Sequence, residues 1–405
     1  MRSSLKLKWL EGDLRHSLFE YFVRTNLTSD ICMNSQAEQI QHATRPGERD
    51  VFRAALWGIT VAALLILLIY LGSSRFRHFD AALIPYAGAS VFAAFGIGYR
   101  YAMWLRRPPT RKYWFRGWQI FFRPSKIVQH VGRLIQLFFA DFFAQRFIEK
   151  RTHLRWAAHW LIAWGCILAA AVTFPVSFGW IHFESAARDQ NIYRAFAFGV
   201  QVAQFRLGTV IATLSFNVLD ISAVMVLTGV ALALFRRARD RGAIAVQQFA
   251  QDMMPLLLLF AISVTGVFLT ASTHLLHGLN YGFLSMLHAV TVIFTLLYLP
   301  FGKFFHIFQR PAQIGVQFYK VVGAAGPQAK CSRCSQEFAS EMHVSDLKDV
   351  ERELQIRYEL PDGAHYQDVC PACRRKSLAM AQDGKWRDQG TRVAADAVSK
   401  WPNYQ

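Results

Sequence analysis

The chain has little negative charge and no early apolar segment. It carries 27 acidic residues against 45 Lys and Arg, which gives a formal charge of +18. Such an excess can indicate nucleic-acid binding, but here the basic residues stand beside apolar segments, where they would meet lipid headgroups. The N-terminal residues show no uninterrupted apolar run before a small-residue cleavage site, so we expect no secretory signal. We therefore expect a membrane protein with no nucleic-acid partner, whose residues 1–50 form a polar cytoplasmic arm.

The sequence also lacks internal repeats and the paired, broken helices that are typical of transporters. Instead, six segments are apolar over about the 20 residues that a helix needs to cross a bilayer. They are Phe52–Gly72, Ala81–Trp104, Trp156–Phe178, Thr209–Phe235, Met253–Leu275 and Leu284–Phe305. We predict an all-α fold, a polytopic transmembrane bundle of about six helices over residues 51–320, with the lipid membrane as its surroundings.

The distribution of Lys and Arg predicts the orientation of this bundle. Residues 105–155 hold twelve Lys and Arg against Asp141 and Glu149, and the connection 236–241 reads RRARDR. Basic connections stay on the cytoplasmic side, so we expect the inner membrane of a bacterium and two cytoplasmic termini. Within 105–155, apolar residues recur at helical spacing from Val128 to Phe143, which indicates an amphipathic helix. It would lie on the inner membrane surface or pack on the bundle.

Two histidines of the last predicted helix point to haem. His288 and His306 are 18 residues apart, which on one helix puts both on the same face and separates them by about 27 Å. That spacing suits two stacked haems, each held by two imidazoles, an arrangement that favours electron transfer because no coordination position stays open. Depth pairs His306 with His159. It pairs His288 with His274, or with His277 or His182.

The stretch LLYLPFGKFFHIFQRP, preceded by His288, resembles the last helix of the gamma subunit of respiratory nitrate reductases and of related heterodisulfide- and sulfite-reductase cytochromes. In that family this helix carries two haem ligands, which match His288 and His306. An earlier helix carries two more, ten residues apart. RWAAHWLIAWGC supplies His159 but has Ala169 at the second position. The resemblance implies one or two b-type haems, quinol or quinone as substrate, and cytoplasmic iron–sulfur and catalytic subunits as partners.

A carboxylate in the fourth segment is the other intramembrane candidate. Asp220 lies near the middle of that segment, where a charge is costly. It would carry protons or bind a quinone; the structural alternative is a hydrogen bond to a Ser, Thr or Asn of a neighbouring helix. The function predicted is thus a quinone-reactive electron-transfer subunit. The alternative is a secondary transporter or membrane scaffold with a cytoplasmic zinc domain.

The C-terminal region contains two CxxC pairs. They are Cys331 with Cys334, and Cys370 with Cys373. Two such pairs are a strong signal for a four-thiolate metal site, and a cytoplasmic location disfavours disulfides. We predict a small metal-binding domain over residues 321–405. Zinc is favoured over iron, because Ser335 and Arg374 stand where rubredoxin-type knuckles generally have glycine.

Overall fold

The computed structural model describes residues 47–186, 189–240, 248–356, 365–380 and 382–384. The polar arm predicted for residues 1–50 therefore lies almost wholly outside the described residues. The chain divides into two compact units. One comprises Glu48–Arg106 and Tyr113–Val322. The other joins Gly47 and Arg107–Lys112 to the described residues from Gly323 onward.

The first unit contains six helices that are long and apolar enough to cross a membrane, as predicted. The spans are Glu48–Gly72 (α1), Ala81–Arg106 (a 3₁₀ turn and α2, Ile84–Arg106), His153–Ser177 (α6), Val210–Arg239 (α7), Phe249–Leu275 (a π turn and α8, Met254–Leu275) and Tyr281–Tyr298 (α9). Many of their Leu, Ile, Val and Phe side chains are exposed. That exposure is expected of helices whose outer faces contact lipid.

Close packing between α6 and α7 places the helix that carries His159. A Cβ built on Gly229 of α7 would lie 2.8 Å from the Ala158 carbonyl oxygen, and one on Gly165 of α6 would lie 2.9 Å from the Ser222 carbonyl oxygen. Only glycine permits backbones to approach this closely, which is the usual basis of tight helix pairs in membranes. The position of His159, next to Ala158, therefore depends on this interface.

The last span ends earlier than the sequence predicts. The expected helix Leu284–Phe305 is wrong at its end: α9 stops at Tyr298, a turn follows, Lys303–Phe305 form a 3₁₀ turn, and a new helix, α10, covers His306–Ala324. Pro300 and Gly302 explain the break, because both disfavour a continuous helix. Arg100 of α2 donates a hydrogen bond to the Pro300 carbonyl, and its guanidinium lies 4.4 Å from the Phe305 ring centroid. Accordingly, His288 and His306 do not share one helix.

The basic segment between the second and third spans is mostly helical. It forms α3 (Pro108–Phe121), α4 (Ile127–Leu137), a π turn (Phe138–Phe143) and α5 (Arg146–Glu149). The predicted amphipathic helix is present. His130 is buried, with its ring 5.2 Å from that of Phe318, while Val128 is 83% exposed. One face of α4 therefore packs against protein and the other is open.

The prediction of an all-α fold is incomplete, because two small sheets are present. Strands β1 (Ile181–Ala186), β2 (Asp189–Ala197) and β3 (Val200–Arg206) form an antiparallel sheet in the order β1-β2-β3. Phe198 and Gly199, both with positive φ, make the two-residue turn between β2 and β3, as hairpins of this kind require.

The second unit is built around the cysteines. Strands β4 (Gln328–Lys330) and β5 (Glu337–Ser340) form a hairpin, α11 covers Glu341–Glu353, and residues 371–380 are helical (α12). Lys112 lies 2.6 Å from an oxygen of Asp349 and 3.6 Å from one of Asp346, which is 2% exposed. Residues 107–112, which the sequence placed in the loop of the bundle, thus belong to this unit.

Candidate functional site

His159 and His306 lie side by side. Their ring centroids are 6.2 Å apart and the ring planes are inclined by 59°. Metal–imidazole nitrogen bonds are about 2 Å long, and a ring nitrogen lies about 1 Å from its centroid, so two imidazoles on opposite sides of one metal have centroids about 6 Å apart. The observed spacing matches this distance, and the structure brings together the two residues that were paired by depth.

The hydrogen bonds of both rings define their tautomers. His159 Nδ1 is 2.7 Å from Gln145 Oε1, and His306 Nδ1 contacts the backbone carbonyl oxygen of Lys303. Both oxygens are acceptors, so Nδ1 is the protonated nitrogen in each ring. The Nε2 lone pairs of both histidines are thereby left for a metal, the arrangement usual for metal-ligating histidines.

The two cationic side chains near the His159–His306 pair, Lys303 and Arg310, have different partners. Lys303 forms an ion pair with Asp252, and Arg237 lies 3.8 Å from the same carboxylate. Arg310 instead stacks 4.6 Å from the Phe147 ring centroid and donates to Gln313 Oε1 at 2.9 Å. Its buried Nε has no hydrogen-bond partner among the described residues. An acidic group of a bound cofactor would satisfy this donor.

Burial keeps the His306 imidazole in the neutral form that a metal requires. Desolvation lowers the pKa of His306 from its ordinary value, the hydrogen bond to the Lys303 carbonyl opposes this shift, and the positive charge of Arg310 adds to it. The ring is therefore neutral at pH 7. A neutral imidazole is the form in which histidine donates its lone pair to a metal.

His288 is held by a threonine. Thr265 Oγ1 donates to the Ala261 carbonyl at 2.7 Å and lies 2.9 Å from His288 Nδ1. These contacts hold the His288 ring against α8, and the ring also hydrogen-bonds to the backbone of Ile262. Among the contacts of the described residues, none joins His288 to His274, and the His274 side chain is exposed at the end of α8. The structure does not bring these two together.

The other candidates for the fourth ligand lie elsewhere. His277 is exposed in the turn after α8. His182, on β1, stacks on His78 with centroids 3.9 Å apart and planes inclined by 11°, and on Phe196 at 5.1 Å. Parallel rings this close leave no room for a metal between them. Desolvation lowers the pKa of His182, and the neighbouring His78 adds to this effect.

Asp220 makes the hydrogen bond that the structural alternative predicts. Thr270 Oγ1 of α8 donates to Asp220 Oδ1 at 2.8 Å. One carboxylate oxygen is therefore partnered across the α7–α8 contact. A role for Asp220 in proton transfer or quinone binding stays a prediction.

The four cysteines of the second unit come together as predicted. The sulfur atoms of Cys331, Cys334, Cys370 and Cys373 all lie within 4.8 Å of one another. The first pair follows β4 and the second stands at the start of α12. Ser335, directly after the first pair, has φ of 57°, which is the left-handed conformation that glycine usually supplies in such knuckles.

Backbone N–H groups point at the sulfurs. Cys331 Sγ accepts from Cys370 N at 3.2 Å and from Arg333 N at 3.4 Å, and Cys370 Sγ accepts from Cys373 N at 3.4 Å. Burial raises the pKa of the Cys331 thiol, but these N–H groups outweigh it and hold the pKa at about 6. Hydrogen bonds to Cys370 and Cys334 raise the pKa of Cys373 to about 12. Four thiolates this close would repel each other, so a divalent metal is the natural partner for the cluster.

Several residues of these sites escaped the sequence reasoning. Gln145, Thr265 and His78 each contact a candidate histidine from a distant part of the chain. Only Gln145 has a local signal, as the one uncharged polar residue in the aromatic run FFADFFAQRF. In comparisons with models of protein families, with curated proteins and with solved structures, nothing matches this chain.

Proposed function

We propose that His159 and His306 bind one b-type haem, and that the chain is an electron-transfer subunit working between a quinone and a soluble partner. The observation that carries the proposal is the 6.2 Å separation of two imidazoles whose Nδ1 atoms are both hydrogen-bonded to oxygens. When bound, the haem would supply reversible one-electron chemistry.

The residues around the pair have separate tasks in this proposal. His159 and His306 would hold the iron through Nε2, while Gln145 and the Lys303 carbonyl accept hydrogen bonds from Nδ1–H. Arg310 would offer its Nε, which has no partner among the described residues, to a propionate, whereas Lys303 is already engaged by Asp252. Held by two histidines, the group would supply electron transfer rather than oxygen binding.

The number of haems that we propose follows from the requirement for two imidazoles that lie side by side. His288 contacts Thr265 and has no second imidazole beside it among the described contacts. We therefore propose one haem per chain. A second haem at His288 would need a ligand from outside these contacts.

The direction of electron flow is taken from the resemblance to the nitrate reductase gamma family, in which quinol is oxidised. Quinol oxidation releases protons, and we propose Asp220 as a proton acceptor, with Thr270 orienting its carboxyl group. Because basic connections favour the cytoplasmic side, we propose that the His159–His306 end of the bundle lies at the cytoplasmic surface. Electrons from the haem would then reach a cytoplasmic iron–sulfur subunit.

The cysteine unit is proposed as the docking domain for that partner. Four sulfurs within 4.8 Å of one another could hold one metal ion, and four thiolates favour tetrahedral coordination. Zinc would give a structural domain, and iron would give an additional electron relay. The left-handed Ser335 shows that the glycine usual in iron knuckles is not required for the geometry here.

A visible spectrum of the purified protein tests the central proposal. The reduced protein should show b-type absorption, and a pyridine haemochrome assay should give one haem per chain. A correctly folded, colourless preparation from haem-replete cells would refute the proposal and favour the transporter or scaffold alternative.

A further inference from the structure

Gln145 is held in an unusual conformation beside the candidate haem site. It follows the π turn Phe138–Phe143 and precedes α5, with φ of 52° and 6% exposure. A left-handed backbone is uncommon for a residue other than glycine, and such conformations gather at functional sites where the surroundings enforce them. The buried amide of Gln145 ends 2.7 Å from His159 Nδ1.

The backbone around Gln145 is tied to the helix that carries His159. The Ala144 carbonyl accepts from Trp156 Nε1 at 2.7 Å, and the Phe143 carbonyl accepts from Trp160 and Trp164, each at 3.2 Å. These three tryptophans stand at successive turns of α6. They satisfy carbonyl groups that the end of the π turn leaves without helical partners.

The result is a support of fixed geometry for one imidazole. Gln145 uses its own carbonyl to accept from Ile148 N at 2.9 Å, so its backbone is anchored on both sides while its side chain reaches His159. A hydrogen bond from a buried neighbour sets the tautomer and rotation of a ligating histidine and raises its strength as a ligand. An exposed or mobile glutamine could not do this.

We propose that Gln145 is the positioning residue of the haem site: by accepting a hydrogen bond from His159 Nδ1–H, it orients the imidazole and tunes the potential of the bound iron. This inference rests on the proposed function. It assigns a task to a residue that makes no contact with iron and that acts only through His159.

Three variants separate the side chain from the backbone. Gln145→Glu keeps the shape but supplies a charged acceptor, which makes His159 more electron-donating and should lower the midpoint potential. Gln145→Gly keeps the left-handed backbone without strain but removes the acceptor, and should weaken haem binding by roughly 10- to 100-fold. Gln145→Leu removes the acceptor while filling the space. Gln136→Glu and Gln136→Leu, at an exposed position of α4, are the matched controls.

The measurements are a haem titration of the haem-depleted full chain, a redox titration and the electron paramagnetic resonance signal of the ferric form. We expect changes in all three at position 145 and none at position 136. If wild-type protein takes up no haem, the proposed function fails, and the inference fails with it. If wild-type protein binds haem but Gln145→Glu and Gln145→Gly match its potential and affinity, only the positioning role is overturned.

Discussion

Removing the metal from the cysteine unit should unfold that unit and leave the transmembrane helices intact. The buried cluster of the unit consists of Cys331, Val369 and Cys370, with Phe338 and Cys373 packed against it. Three of these five side chains are proposed metal ligands. The other buried apolar side chains in the described part of the unit, Val344 and Val350, lie on α11.

Metal binding contributes more to the folding free energy of the unit than apolar burial or ion pairs do. Full burial of Val369, Phe338, Val344 and Val350 would stabilise the unit by about 1.5–3 kcal/mol each, an upper bound because the unfolded chain also buries some surface. A structural zinc ion contributes about 10–16 kcal/mol in small Cys/His domains. The ion pairs of the unit, such as Lys348 with Asp368, are partly exposed and add little. Without metal, the remaining contacts do not offset the conformational entropy of the chain.

Cys370→Ser in the full-length protein tests this reasoning, with Cys166→Ser in α6 as the matched control. Mass spectrometry should find one zinc or iron ion in the wild type and in the control, and none in Cys370→Ser. Limited proteolysis should then cut the C-terminal region rapidly, while the haem spectrum persists and electron delivery to the partner is lost. A metal-free variant whose C-terminal region resists protease as the wild type does would refute the argument.

Four further outcomes are expected. His306→Ala should abolish haem binding, whereas His274→Ala, at an exposed position, should leave the spectrum unchanged; equal losses in both would contradict the assigned pair. Gly229→Leu should cost about 1–3 kcal/mol by overpacking the α6–α7 interface and reduce haem content, whereas Gly88→Leu, with open space around its Cβ position, should do neither in thermal unfolding. Asp220→Asn should slow haem reduction by quinol at least about tenfold, in the range of general acid–base effects, without altering the spectrum; an unchanged rate would remove Asp220 from the mechanism. A phosphatase fused to the C-terminus should be inactive, and activity in the periplasm would reverse the topology.

The sequence predicted the spans well because the signal for a span is local. About 20 apolar residues bounded by charge are sufficient, and each of the six predicted segments has its helix. The four-cysteine site could also be predicted from the sequence, because two CxxC pairs identify the ligands without any knowledge of the fold. The break after Tyr298 was missed because apolar residues continue to Phe305 and favoured one long span. Pro300 and Gly302 are the local signals for the break.

What the sequence could not provide are contacts between distant segments. Gln145 reaches His159 from the loop before α6, and Lys112 reaches Asp349 from 237 residues away. No periodicity encodes such pairs. The partner of His288 was inferred from depth alone, and depth does not reveal that Thr265 occupies its Nδ1. The sheet formed by β1, β2 and β3 was not predicted, because only the charge of that connection was considered and not its pattern of residues.

The break between α9 and α10 has a consequence for how the protein tolerates different membranes. Helices answer a change in bilayer thickness by tilting, and a ligand at the end of a long continuous span would swing with that tilt. His306 instead begins its own helix after a turn that Arg100 fastens to α2 through the Pro300 carbonyl. A tilt of α9 can therefore be absorbed at residues 299–302. We therefore expect the distance between His306 and His159 to change less with bilayer thickness than it would if His306 ended a continuous span.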